Sequence, residues 1–343
     1  MDMLLPATAL DTLLSPPILF FGLGVVIALA GTRIPIPEGF GKALAAYLLV
    51  AIGLKGGVAL AGAPTGEVMP VLLAAAGLSL TMPVLAFGML RAAAGLDRVN
   101  AAAIAAHFGS VSLVTFIAAT KLLDSQGIPF SGHMVAALAV MEGPAIVTGL
   151  VLAGATGAVA SVGLTAGGAG VVRVPGPSGM GTLRNAVRDA ALNGSVLLLA
   201  GALLIGMTIG KPGLDRLAGL FVAPWDGVLS LFLLEMGYLA AARLREAMGL
   251  SARLILFGVA MPLVGCGIGL ATARALGLGL GDATLLATLC ASASYIAVPA
   301  AIRHALPTAD TGLSLPLCLG ITFPFNIMVG IPLYAALARA VAG

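Results

Sequence analysis

Two short serine stretches contain the side chains best suited to hold a small ion. They are Ser110-Val111-Ser112 and Ser292-Ala293-Ser294, and both lie inside long apolar segments. Gly109 and Pro299 stand close by, and these residue types loosen or interrupt a helix. An interrupted helix exposes backbone N–H groups that favour an anion, while hydroxyl oxygens can also face a cation. We therefore predict two broken helices that share one substrate site, with these candidate residues: Gly109, Ser110, Ser112, Thr115, Ser292, Ser294 and Tyr295.

A structural interpretation of the same serines stays open. Serine and threonine in membrane helices often bond to their own backbone or bridge two neighbouring helices. For a single serine this is the commoner use. The two stretches, however, lie 182 positions apart and occupy similar surroundings, and this repetition favours a shared binding site.

Three ionisable residues also fall inside apolar segments, namely Lys55, Glu142 and Glu235. A charge within lipid is costly and by default indicates a functional site. We predict that Glu142 and Glu235 bind a coupling ion or balance charge, and that Lys55 offsets one of them. Glu142 precedes Gly143-Pro144, where a third helix break is expected.

The composition determines the kind of elements that carry these residues. Of 343 residues, 60% are hydrophobic and 9% charged, and the mean hydropathy is +1.11. A soluble domain has about 25% charged residues, so the solvent of this chain is lipid and its backbone is helical. The net charge of +3 is attributed to cytoplasmic loops rather than to nucleic-acid binding. Ten apolar segments are predicted: 17–31, 39–62, 68–90, 100–120, 133–158, 190–209, 224–242, 252–273, 283–302 and 313–341.

The two halves of the chain resemble each other. The serine stretches, Ile52-Gly53 with Met236-Gly237, and Ile146 with Ile327 all match at offsets of 181–184 positions. Five helices per half is an odd number, so the second half enters the membrane from the opposite face. We predict an all-α membrane protein of two inverted five-helix repeats, 1–158 and 190–343. A Gly/Pro-rich connector, 159–189, joins them.

Basic residues predict the orientation. With the N-terminus outside, Lys and Arg concentrate in the inner loops and the connector. Both termini are therefore predicted outside the inner (plasma) membrane, with the connector in the cytoplasm. The three cysteines lie in apolar stretches without metal-ligand spacing, so no metal site is predicted.

Several motifs, in this order and spacing, resemble the sodium-dependent bicarbonate transporter family. The resemblance covers nearly the whole chain and implies an elevator-type carrier with a core and a gate domain, assembled as a homotrimer. It further implies bicarbonate and Na+ sites between the broken helices, and a PII-like regulatory protein as a possible partner. Two departures are Tyr295, where the family pattern has Asp, and Lys55, where it has a small polar residue. The matching segments are 52–57, 108–112, 142–148, 236–237, 292–296, Pro299, Arg303 and 324–332.

The leading functional prediction is a Na+-coupled secondary carrier of bicarbonate or a similar small anion. The alternatives are a proton-coupled or uncoupled carrier of another small carboxylate, and a non-transporting membrane protein. An intramembrane enzyme would need a nucleophile beside a base, for which His107 and Ser110 form the only local pair. Since no third member is evident, the chain is predicted not to be an enzyme.

Overall fold

The computed structural model describes residues 15–32, 35–37, 39–154, 161–165, 168–172, 188 and 194–342. The first half contains α1 (Pro16–Leu29), α2 (Phe40–Leu60), α3 (Thr65–Met89, with a π-helical turn at Leu90–Ala94), α4 (Arg98–Gly109), α5 (Leu113–Ser125), α6 (His133–Met141) and α7 (Pro144–Ala153). The second half contains α8 (Gly194–Arg216), α9 (Ala218–Phe221), α10 (Trp225–Ala247), α11 (Ala252–Ala275), α12 (Leu280–Ala291), α13 (Ala297–Ala305), α14 (Thr311–Leu315), α15 (Phe323–Phe325) and α16 (Ile331–Ala342). Two π-helical segments, Pro316–Thr322 and Asn326–Gly330, complete the last helical unit.

The membrane part of the chain is helical, as predicted. In the described residues, eight helical units are long and apolar enough to cross a membrane, if helices joined end to end across a break, such as α4 and α5, are counted as one unit. The separate helices α1 and α12 are apolar but shorter. Eight of the ten predicted spans are therefore confirmed by length and composition, and the other two stay predictions. The fifth span ends earlier than predicted, at Ala153, because Gly154 adopts the left-handed conformation that terminates helices.

Most of the predicted connector 159–189 lies outside the described residues. Within it, β1 (Ser161–Thr165) and β2 (Gly168–Val172) form an antiparallel two-stranded ribbon. Ser161 is paired with Val172, and Thr165 with Gly168. The sequence did not predict this ribbon, because its Gly-rich composition is typical of a flexible linker.

Four helices form a first bundle, in which α1 packs along α10 and α2 packs along α8. Glycines allow these close approaches. A Cβ added to Gly24 would lie 2.8 Å from the Tyr238 amide nitrogen, and one added to Gly53 would lie 2.6 Å from the Ala202 Cβ. Small residues let backbones pack closely where lipid supplies no hydrophobic driving force between helices.

The remaining helices form a second bundle. Here α4 lies between α3 and α7, while α12 lies between α11 and α16. The central helices α4 and α12 are each 12 residues long, and both bounds of α12 lie 182 positions after those of α4. This equivalence agrees with the motif spacing that led us to predict two repeats. The bundles meet where α10 contacts the Pro316–Thr322 segment and where α2 contacts α6.

Candidate functional site

Both serine stretches coincide with breaks in their helices. Ser110 ends α4 with φ −86° and ψ 172°, and Ser292 ends α12 with φ −87° and ψ 164°. The two residues thus leave their helices in nearly the same extended conformation. The chain then re-enters a helix at Leu113 and at Ala297. The predicted pair of interrupted helices is present.

Hydrogen bonds join the two breaks to each other at the centre of the protein. The Ser294 amide donates to the His107 carbonyl at 2.8 Å, and the Ser112 amide donates to Ser292 Oγ at 2.9 Å. His107 Nδ1 lies 2.5 Å from the Ser294 carbonyl; since a carbonyl only accepts, this nitrogen carries the hydrogen. All of these residues are buried. The two breaks therefore form one unit in which each segment satisfies the backbone of the other.

The serines differ in how their hydroxyls are used. Ser110 Oγ donates to the Glu142 carbonyl at 3.1 Å, and Ser292 Oγ donates to the Leu289 carbonyl at 2.9 Å. These two bonds are the structural use of serine described above. A role for Ser110, Ser292, Thr115 and Gly109 as direct ligands stays a prediction.

Ser112 is the N-cap of α5. Its hydroxyl oxygen accepts from the Thr115 amide at 3.3 Å and from Thr115 Oγ1 at 3.0 Å. Because the oxygen accepts twice, its own hydrogen is left for the neighbouring Tyr295 hydroxyl or for a ligand. In the described part of the chain, the Tyr295 hydroxyl has no hydrogen-bond partner of normal geometry.

Pro299 does not break its helix where we predicted. The break occupies 292–296, and Pro299 is the third residue of α13, in the first turn. A proline there costs no internal hydrogen bond, because first-turn amides have no partner within the helix. Ser294 Oγ accepts a hydrogen bond from one of these first-turn amides, that of Val298, at 3.5 Å.

A third and milder interruption separates α6 from α7 at Glu142 and Gly143, as predicted; both residues keep right-handed helical dihedrals, and the following Pro144 has no amide to donate. Ser79 of α3 spans this break. Its hydroxyl donates to the Met141 carbonyl at 2.8 Å and accepts from the Ala145 amide at 3.2 Å. With the bond from Ser110 to the Glu142 carbonyl, three breaks are connected in one region of the second bundle.

A cavity of about 750 Å³ lies between the two bundles and reaches the broken helices. Ser112, Ser294, Tyr295 and Glu142 line it from the second bundle, and Glu235 lines it from α10 of the first. Two cationic side chains, Lys42 and Arg303, also line it. The cavity thus combines helix N-termini, serine hydroxyls and positive charge, a combination that suits a small anion with several acceptor oxygens.

The comparison with known families decides which class of protein this is. Residues 16–339 match the family model described as the Na+-dependent bicarbonate transporter superfamily. The chain belongs to this superfamily. A search of the curated proteins returned no match. The resemblance predicted from the motifs is confirmed, and this superfamily member is a multi-pass membrane transporter rather than an enzyme.

His107 and Ser110 are the one local pair that the sequence offered for an intramembrane enzyme. In this superfamily member His107 Nδ1 is bonded to the Ser294 carbonyl, and Ser110 Oγ is bonded to the Glu142 carbonyl. The Ser110 hydroxyl therefore donates to a backbone carbonyl and not to His107, whose Nε2 has no hydrogen-bond partner in the described part of the chain. Among the described residues, no three His, Cys, Asp or Glu side chains gather as a metal site would require.

The predicted partnership of Lys55 is wrong. Its ammonium stands 4.4 Å from the centroid of the Trp225 ring, a cation–π contact, and its electrostatic neighbours are Asp124, Asp226 and Lys121. Lys121 in turn pairs with Asp226 at 2.7 Å. In the described part of the chain, Glu142 and Glu235 form no ion pair with Lys55 or any other cation.

Sequence reasoning missed two groups of residues near the site. Lys42 and Arg303 were counted among the inner-side charges, and Arg303 also among the positions that match the family pattern, but neither was predicted to line the cavity. Asn326, fully buried, donates to the Ala291 carbonyl at 3.0 Å and accepts from the Tyr334 hydroxyl at 2.6 Å. It thereby satisfies the end of α12. A lone Asn in an apolar segment was the available signal, because a buried amide needs partners.

Proposed function

We propose that this protein is a Na+-coupled secondary transporter of bicarbonate or a similar small anion. The observation that carries the proposal is the convergence of two broken helices, 182 positions apart, on one cavity between two bundles. Superfamily membership supports both the ion and the substrate class. Transport sites near the midplane of inverted-repeat carriers use interrupted helices in this way.

The anion would bind where α5 and α13 begin. Unpaired amides and the partial positive charge of each helix N-terminus favour carboxylate-like oxygens. The hydroxyls of Ser112 and Ser294 would complete its shell, and Lys42 and Arg303 would attract it into the cavity. The Na+ would use hydroxyl and carbonyl oxygens of the same region, since hard cations prefer oxygen ligands.

Alternating access would come from movement of one bundle against the other. The broken helices belong to the second bundle, whereas α1, α2, α8 and α10 pack into the first. We propose that the second bundle carries the anion past the first, in the elevator manner of two inverted repeats. A homotrimeric assembly in the inner membrane and a PII-like regulatory partner are further proposals that follow from the family resemblance alone.

One observation favours a second candidate, a proton-coupled or uncoupled carrier of another small carboxylate. Tyr295 lies at the position where the family pattern has Asp, and its phenol supplies no carboxylate for Na+. Its ring packs against Phe323, with ring centroids 5.3 Å apart. The position is thus filled by an aromatic side chain.

Uptake of labelled bicarbonate into proteoliposomes separates the two candidates. We expect uptake with an inward Na+ gradient, little uptake when K+ replaces Na+, and only background in protein-free liposomes, which report diffusion of CO₂. Equal uptake in Na+ and K+, increased by an inward proton gradient, would favour the second candidate. Competition by unlabelled acetate or formate would then identify its substrate class.

A further inference from the structure

Glu142 has a buried carboxylate that lies at the interruption between α6 and α7. Its residue is 5% exposed, and Oε2 has no hydrogen-bond partner in the described part of the chain. The side chain nevertheless lines the cavity between the bundles. A carboxylate held away from water needs a partner of opposite charge or a proton. The Glu142 carboxylate therefore needs a cation or a proton that the described residues do not supply.

The charged and titratable groups around the cavity do not supply that partner. Lys42 and Glu235 face it from the first bundle, Arg303 from α13, and Tyr295 from the break that precedes α13. Neither cation forms an ion pair with Glu142 in the described part of the chain. His107 on α4 is bonded to the Ser294 carbonyl through Nδ1. A cation from solution can therefore reach Glu142 without displacing an existing ion pair.

Glu142 is also part of the same unit as the serine stretches. Ser110, which ends α4, donates to the Glu142 carbonyl at 3.1 Å, and Ser79 holds both sides of the break that contains Glu142. Any ion bound to Glu142 would therefore move with the anion site. Glu235 also has a buried Oε2 without a hydrogen-bond partner among the described residues, but it differs from Glu142 in position and in burial of the whole residue. It lies within the continuous helix α10 of the other bundle and is only half-buried, over Gly41.

We propose that Glu142 is the carboxylate that holds the coupling Na+ in this protein. The inference rests on the proposed Na+-coupled function. Na+ at Glu142 neutralises a buried charge and lies on the unit that carries the anion, so binding of one ion favours binding of the other. Glu235 serves as the matched control, being a carboxylate that lines the same cavity from the opposite bundle.

Thermal unfolding of the purified protein in detergent tests the assignment without transport. Na+ should raise the midpoint temperature of the unaltered protein relative to K+ at equal ionic strength, because a ligand that binds only the folded state stabilises it. Glu142→Gln should shift the Na+ concentration for half of this effect at least tenfold upward. Glu235→Gln and the exposed Glu67→Gln should leave it within twofold. Should Glu142→Gln not fold, Glu142→Asp, which keeps the charge but shortens the side chain, should shift the concentration in the same direction.

The outcomes separate this inference from the proposed function. A Na+ effect that Glu142→Gln or Glu142→Asp leaves unchanged overturns the assignment of Glu142, whereas Na+-driven bicarbonate uptake by the unaltered protein would still stand. Equal loss in Glu235→Gln would also overturn it, because the Na+ site would then require both bundles. An unaltered protein that neither gains stability from Na+ nor requires it for uptake contradicts the proposed function itself.

Discussion

Of the four serines in the two stretches, Ser112 and Ser294 line the cavity, while the hydroxyls of Ser110 and Ser292 donate to backbone carbonyls. This division explains why four serines of similar sequence context need not have similar roles. The sequence predicted all four serines as candidates. Successive side chains of an extended segment point to opposite sides, and the sequence does not show which side faces a cavity.

We expect Ser112→Ala and Ser294→Ala each to weaken anion binding. Loss of one neutral hydrogen bond costs about 0.5–1.5 kcal/mol, which is up to about a tenfold rise in KM for uptake. Ser112→Ala should also lower the unfolding temperature, since it removes the N-cap of α5. Thr208→Ala is the control, because this exposed threonine bonds only to its own helix, at Leu204. Unchanged KM values in both serine variants would place the anion elsewhere.

Tyr295 gives a second test at the residue scale. Its buried hydroxyl lies beside Ser112 without a hydrogen bond of normal geometry in the described part of the chain, and its ring lies against Phe323. Tyr295→Asp should introduce a hard oxygen ligand beside Ser112 and increase the dependence of bicarbonate uptake on Na+. Tyr295→Phe keeps the ring without the hydroxyl and should leave that dependence unchanged. If both variants respond to Na+ as the unaltered protein does, position 295 has no part in coupling.

At the scale of helices, the packing of α1 against α10 depends on glycines. A Cβ at Gly24 would collide with the backbone of Leu234 and Tyr238, whereas Gly22, two residues earlier, is exposed and has open space around it. Overpacking of this kind costs about 1–3 kcal/mol. Gly24→Ala should therefore lower the thermal unfolding midpoint, and Gly22→Ala should preserve or slightly raise it, since Ala favours a helix. Equal midpoints for the two variants would contradict the close approach.

Much of the helical pattern was predictable from the sequence. Apolar segments gave the order of the helical units, and Gly109 and Gly143-Pro144 indicated two of the three breaks correctly. The break between α12 and α13 was misassigned to Pro299, because the sequence does not distinguish a proline inside a helix from one in the first turn. The position of Pro299 in the first turn of α13 becomes clear only from the structure, in which α12 already ends at Ser292.

Contacts between helices were not predictable in the same way. Lys55 was paired with a glutamate on charge alone, yet it lies over Trp225, which is 170 positions away in the sequence. Apolar helices show little difference between their faces, so the sequence does not indicate which neighbour a charged residue meets. For the same reason Lys42 and Arg303 were not recognised as cavity residues.

At the scale of the whole molecule, the orientation in the membrane stays a prediction from the distribution of Lys and Arg. We expect Ser178→Cys, in the predicted cytoplasmic connector, to react with an impermeant maleimide only after cells are permeabilised. Gly62→Cys, at the predicted outer end of segment 39–62 and with open space around it, should react in intact cells. The native cysteines Cys266, Cys290 and Cys318 are buried and give a low background. The reverse labelling pattern would require the opposite orientation.

The central claim is that the two broken helices and the cavity between the bundles form the anion site. The most direct test is an experimental density map of the protein saturated with Na+ and bicarbonate. We predict density for a small planar anion between residues 110–115 and 292–298, within about 3 Å of the first amides of α5 and α13. Density for the anion at another position, with this cavity unoccupied at saturation, would contradict the account.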